Sequence, residues 1–377
     1  MPAVLPAHIY VHVPFCARRC SYCDFAIAVR RDTPVDAYVS GIVSELATRL
    51  GPPDAARSSA VRTLYFGGGT PSRLGGDGVA KLIAAIRRHV SLDGESEVTL
   101  EANPDDVTPE TVAAWRDAGV NRLSLGGQSF HENVLRWMHR THDVAQIGRA
   151  VDAARRGGIE NLSLDLIFAV PDALERSWDT DLDAPLSLEP SHLSLYGLTV
   201  EHGTPLGRWR ERGEVAEAGE DRYADEFLRA HDRAGAAGYE HYEVSNFARP
   251  GARSRHNSSY WSGVAYLGVG PAAHGFDGRS RRWNETAYPA WLSRVLHGED
   301  PIAGFEELTD DDRAAEAVYL GLRTADGLDV AERDRLVIDP WIDAGWGTHE
   351  AGRLRLSAAG WLRLDALAAA LTAARSR

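Results

Sequence analysis

The chain has three cysteines, Cys16, Cys20 and Cys23, and they fall within eight positions. C-x3-C-x2-C spacing lets one loop wrap three thiols around a single soft metal centre. A structural zinc site closes with four ligands, and there is no fourth cysteine. His12 is the alternative fourth ligand, but it sits in an alternating strand and the loop lacks zinc-finger spacing. A disulfide would leave one thiol over, and the spacing is too tight for a structural bridge. Thiolates suit iron–sulfur clusters, which normally take four. With three, a 4Fe–4S cluster keeps one iron open to a ligand the protein does not supply.

Bulk properties narrow the partners. At 377 residues two or more units are expected. A net charge of −13 argues against a basic nucleic-acid surface, so no nucleic-acid partner is expected. No apolar run reaches the roughly 18 residues of a membrane span, and the N-terminus lacks the basic-then-apolar pattern of a signal peptide. Free thiols and an oxygen-sensitive cluster point to the cytoplasm.

Strand and helix patterns alternate over the first half of the chain. Ile9 to Val13 reads as a strand delivering the cysteine loop. Thr33-Pro34 reads as a helix start, with Pro52-Pro53 as its stop. Val61 to Phe66 is a buried-strand run ending in Gly67-Gly68-Gly69-Thr70-Pro71, whose glycines allow backbone to approach a ligand. Further strands end at Glu101-Ala102-Asn103-Pro104 and Gly126-Gly127-Gln128, and others cover Asn161 to Phe168, which contains Asp165, and Ser191 to Leu198. A helix is expected to carry Arg140-Thr141-His142. Six such βα units predict an α/β fold, a partial (β/α)6 barrel, with ligands at the C-terminal ends of the strands. The rhythm breaks near residue 210, so the expected domains are 1–210 and a smaller α+β region, 211–377.

These motifs together resemble the radical S-adenosylmethionine (radical SAM) superfamily. Tyr10-x-His12-x-Pro14-Phe15-Cys16, the triple glycine, Glu101-Ala102-Asn103-Pro104, Asn121 to Gly126 and Asp165-Leu166-Ile167 are similar to its HemN-like group. That group holds oxygen-independent coproporphyrinogen III oxidase, a porphyrin-biosynthesis enzyme, and a haem-chaperone branch. Three features favour the chaperone branch. Phe25 stands where the oxidase has a fourth cysteine. Tyr10 lies so near the first residue that the oxidase's N-terminal segment is expected to be absent. His256-Asn257-Ser258-Ser259-Tyr260-Trp261 matches the chaperone's HNxxYW motif.

The resemblance implies that Cys16, Cys20 and Cys23 hold the 4Fe–4S cluster, and that Tyr10, Gly68 and Glu101 contact SAM on its open iron. Tyr22, Gly69, Thr70, Gln128, Arg140 and Asp165 match positions that hold a second SAM in the oxidase. It also implies haem as a third cofactor or cargo, with His256, Asn257, Tyr260 and Trp261 as its site. From chemistry alone, His256 reads also as a hydrogen-bonded structural histidine beside a packed aromatic pair. Haem-acceptor proteins are the implied partners, with transient contact with membrane respiratory enzymes and a homodimer as further expectations. The alternative functions are the oxidase's radical decarboxylation and another radical SAM reaction on a tetrapyrrole.

Overall fold

The computed structural model describes residues 6–51 and 61–376. Pro52 and Pro53 lie outside the described residues; the first helix, Val35–Leu50, closes on Gly51 at φ 78°. That helix starts one residue later than expected. Pro34 is its cap and the Thr33 side chain makes no capping bond.

Six parallel strands follow in chain order: β1 (His8–Val13), β2 (Thr63–Gly68), β3 (Glu97–Ala102), β4 (Arg122–Gln128), β5 (Asn161–Phe168) and β6 (His192–Gly197). Each pairs with the next, with helices between them, as the right-handed βα crossover dictates. Period-two alternation sorts β1. Ile9, Val11 and Val13 are fully buried in the main apolar core, whereas His8, Tyr10 and His12 lie on the opposite face, which lines the inside of the curled sheet. Helix starts are set locally. Thr108 caps Pro109–Ala118 through the Thr111 backbone N–H, and Asp143 caps Val144–Arg156 through that of Gln146.

The sheet continues past residue 210. β7 (Glu240–Glu243), β8 (Asn246–Ala248) and β9 (Leu267–Val269) complete nine strands in the order β9-β1-β2-β3-β4-β5-β6-β8-β7. β9 runs parallel to β1, and β8 antiparallel to β6. The expected division at 210 therefore cuts across one sheet: chain from the second half closes both of its edges. Glu45, fully buried, fixes one closure. Its carboxylate accepts from the Gly270 N–H at 2.8 Å, Asn284 Nδ2 at 2.7 Å and Trp291 Nε1 at 2.9 Å. Burying a carboxylate is costly without such donors, so the cluster locks the Val35–Leu50 helix to β9.

Beyond this, residues 310–376 form a small α+β unit. The helices Asp310–Arg323, Arg335–Asp343 and Leu364–Arg375 surround a three-stranded sheet, in which Arg353–Leu356 pairs with both Leu328–Asp329 and Gly347–Glu350. No helix among the described residues is long and apolar enough to cross a membrane.

Candidate functional site

The C-terminal ends of the strands open onto one cavity of about 430 Å³. Of the residues expected to hold the cluster or SAM, all but Tyr10 line it. β1 delivers the cysteine loop, which is pinned at its far side by the Ala28 N–H donating to the Pro14 carbonyl at 2.7 Å. β2 delivers the glycines. Gly68 has φ 112°, and a Cβ there would lie 2.5 Å from the His12 ring; one on Gly69 would lie 2.7 Å from the Pro14 carbonyl. Only glycine lets the cysteine loop and the β2 turn approach this closely.

The three thiols face the cavity but are not gathered on a point. Among the described residues no three His, Cys, Asp or Glu side chains form a site for a single metal ion. A zinc ion would need its thiolates about 2.3 Å from one centre. A four-iron cluster takes each thiolate on a different iron and so fits thiols spread along a cavity wall. His12 is not placed as a fourth ligand: its Nε2 pairs with the Ala26 carbonyl at 3.0 Å and its Nδ1 with the Tyr10 hydroxyl at 3.1 Å. Burial raises the Cys16 thiol and pushes Cys23 up to about 11, so iron would displace protons on binding. When bound, such a cluster would chelate SAM at its open iron and supply an electron to the sulfonium.

Arg140 stands beside the thiols. It donates to Cys20 Sγ at 3.4 Å, Asn103 Oδ1 at 2.6 Å and the Gly126 carbonyl at 2.8 Å. Arg140-Thr141-His142 is not helical, as expected from sequence, but a turn between the helices Glu132–Trp137 and Val144–Arg156. His139 before it has φ 58°. The turn releases the guanidinium into the cavity, which a helical Arg140 would carry on a fixed face. Tyr22, half-buried beside Arg140, has its phenol raised by desolvation.

Two half-buried carboxylates complete the set. Glu101, at the end of β3, accepts from the Tyr65 hydroxyl at 2.8 Å and from the Gly68 N–H at 3.1 Å. Burial pushes its carboxyl up to about 7, with Asp165 adding to the rise. Asp165 accepts from Ser124 at 3.1 Å and Ser163 at 3.0 Å, and burial raises it too. A bulge in β4 between Leu125 and Gln128 turns Gln128 into the cavity at φ 66°. Arg140, Glu101 and Asp165 around one cavity suit a zwitterion carrying an amine and a carboxylate, as SAM does.

Sequence reasoning assigned no role to Asn103, Tyr65 or Ser124, which hold Arg140, Glu101 and Asp165. Asn103 and Ser124 lie inside quoted motifs, so a signal was present. Tyr65 sits in a strand buried on both faces, where alternation is silent.

The HNxxYW residues lie elsewhere. The helix Arg255–Trp261 sits where the strands begin, with the Arg255 and His256 N–H groups on the Glu97 carboxylate at 3.1 and 3.0 Å. His256 is fully buried. Its Nδ1 pairs with Thr63 Oγ1 at 2.7 Å and its Nε2 with the Tyr260 hydroxyl at 2.8 Å. Burial drives it down to about 3, so it is neutral. Its ring stacks on Tyr65 at 4.9 Å, and Tyr10 lies in the same column. Trp261 carries the Arg323 guanidinium 4.1 Å above its ring. Asn257 donates its backbone N–H to Ser254 Oγ at 3.3 Å. Both ring nitrogens of His256 are thus engaged, by Thr63 and Tyr260, on a fully buried side chain.

This fold and site define a radical SAM protein. The superfamily model matches residues 10–184, and a HemN C-terminal domain model matches 308–363. A Mycobacterium tuberculosis (strain CDC 1551 / Oshkosh) protein named "Heme chaperone HemW" is 38% identical over 374 residues, covering 96% of this chain and 94% of its own. The Escherichia coli K12 protein of the same name is 36% identical over 289 residues, 75% of each chain. The solved structure of E. coli coproporphyrinogen III oxidase, HemN, superposes with a TM-score of 0.81 at 21% identity, over 98% of this chain and 91% of that one, which shows the shared fold. The chain belongs to the HemW family.

Proposed function

We propose that this protein is a haem chaperone: it binds haem and passes it to acceptor proteins, and it carries a 4Fe–4S cluster on Cys16, Cys20 and Cys23 with SAM at the open iron. The family membership, spanning almost the whole chain, is the observation that carries this reading. The cavity supports the cofactor part: its thiols, Arg140, Glu101 and Asp165 suit a cluster and a zwitterionic ligand together. Phe25, 58% exposed at the cavity rim, leaves that position without a thiol. Acceptors that include membrane respiratory enzymes, and a homodimeric state, belong to the same proposal.

The test is transfer. Anaerobically reconstituted protein loaded with haem is mixed with an apo haem protein, and the acceptor's absorption spectrum is followed after separation. Transfer faster than free haem supplies it is expected. Equal rates with and without the chain would remove the chaperone reading.

A further inference from the structure

The segment that holds the three cysteines runs on into a basic face. Arg18, Arg19, Arg30 and Arg31 fall within fourteen positions, and all four are exposed. None of them makes an ion pair among the described residues. Asp24 and Asp32, also exposed, are the carboxylates of residues 16–32, so four cations stand against two anions in a chain whose net charge is −13. Two apolar side chains are exposed among them, Phe25 at 58% and Val29 at 45%. Arg19, Phe25, Val29 and Arg30 border one shallow depression, so they share a face. Apolar side chains this exposed, rimmed by charge, mark a protein contact surface.

This face is fastened to the cysteine loop. Phe15–Cys16 pairs in parallel with Ala28–Val29, which sets Val29 opposite Cys16 at one strand spacing, about 4.8 Å. The Arg30 N–H donates to the Cys16 carbonyl at 2.9 Å, and the Arg19 guanidinium donates to the Cys23 carbonyl at 3.3 Å. Arg18 reaches the cavity wall beside the thiols.

A cluster on these thiols needs its electron from outside the chain. All three cysteines lie in the loop, so none is left for a second cluster. Among the described residues no group of His, Cys, Asp or Glu side chains forms another metal site. SAM is expected in the cavity in front of the thiols, which leaves the outer face of the loop for a donor. Charge selects that donor. A positive face on an acidic chain draws an acidic partner, speeds the encounter and orients it. Electron-transfer encounters use small interfaces, which suits two apolar side chains ringed by arginines.

We propose that this face docks an acidic, low-potential one-electron carrier protein, which reduces the cluster through the cysteine loop. The inference rests on the 4Fe–4S reading of Cys16, Cys20 and Cys23. One electron leaves the carrier and one arrives at the cluster; no bond forms or breaks and no proton moves.

The experiment mixes the anaerobically reconstituted full chain with two acidic probes, reduced plant-type ferredoxin and flavodoxin hydroquinone. Cluster reduction is followed by rapid-freeze electron paramagnetic resonance, and affinity for the oxidised carriers by isothermal titration. The wild type is expected to bind and be reduced by at least one of them, with both readouts falling about tenfold or more as salt rises from about 50 to about 300 mM. Arg30→Glu/Arg31→Glu keeps the backbone bonds of the loop and should weaken both readouts about tenfold or more at low salt. Dithionite, a small reductant that needs no docking, should reduce variant and wild type alike. Arg88→Glu/Arg333→Glu makes the same change in net charge on exposed arginines elsewhere and should match the wild type.

Carrier binding and reduction unchanged in R30E/R31E, or indifferent to salt, would overturn the proposal. So would equal weakening in R88E/R333E, which would trace the effect to net charge alone, and so would wild type that dithionite reduces but neither carrier does. Loss of binding to anionic phospholipid vesicles in R30E/R31E, with its carrier rate intact, would give the face to a membrane instead. If dithionite finds no cluster to reduce, the cofactor reading falls together with the inference.

Discussion

His256 stacks on Tyr65 at 4.9 Å, and the same Tyr65 donates its hydroxyl to Glu101 at 2.8 Å. The segment from His256 to Trp261 therefore reaches Glu101 through Tyr65, as the floor of the column that orients this carboxylate.

Replacing His256 by Ala should damage that floor. It leaves the Tyr260 hydroxyl without its partner, leaves Thr63 with His8 alone, and opens a void under Tyr65. A loss of about 2–3 kcal/mol is expected, seen as a melting temperature several degrees lower. SAM affinity of the reconstituted protein should weaken as Tyr65 loosens, while haem stoichiometry is unchanged. Isothermal titration with SAM and a haem titration on the same sample separate the two.

Glu101 makes stability depend on pH. Its folded carboxyl is held at about 7, above the ordinary 4.5. The folded state thus keeps a proton that the unfolded chain has already released. That contribution is fully present below about 4.5 and is lost as pH rises through about 7, on the order of 3 kcal/mol in the ligand-free protein. Glu101→Gln cannot ionise, and its amide can accept from Gly68 and donate to the Tyr65 oxygen. The variant should therefore melt above the wild type at pH 8, with the gap closing toward pH 5. A gap independent of pH would contradict the assignment. SAM binding should fall in the variant, since the charge that meets its amine is gone.

Arg140 should tune the cluster through Cys20. Arg140→Gln removes a cation and a donor to sulfur, so the cluster should become harder to reduce. Arg140→Lys keeps the charge but cannot span Cys20, Asn103 and Gly126 at once. Its potential should lie between wild type and Arg140→Gln, as read by redox titration with electron paramagnetic resonance.

Each single Cys-to-Ala change at Cys16, Cys20 or Cys23 should abolish the broad iron–sulfur absorption after reconstitution while leaving the far-ultraviolet circular dichroism intact. The loop's backbone is held by the Ala28 and Arg30 N–H groups on the Pro14 and Cys16 carbonyls, none of which needs a thiol. Iron bound by an alanine variant at the wild-type level would contradict the ligand set.

The barrel was legible because its signals are local and repeated: strands of apolar run or alternation, Thr108-Pro109 and Asp143 at helix starts, and polar residues at strand ends. The cavity lining was legible for the same reason, since strand ends in a βα fold converge wherever the side chains point. What sequence could not place was contact between distant segments. Nothing local says that β9 closes onto β1 through Glu45, or that His256 reaches Thr63, 193 positions away. Nor does anything local say that the segment from His256 to Trp261 packs where the strands begin, with His256 fully buried.

The most direct test of the central claim is a haem titration of the anaerobically reconstituted protein, followed at the Soret band, beside an incubation of the same sample with coproporphyrinogen III, SAM and reductant. One haem bound per chain, with coproporphyrinogen III recovered intact, is the predicted result. Decarboxylated product, or no haem bound, would contradict the account.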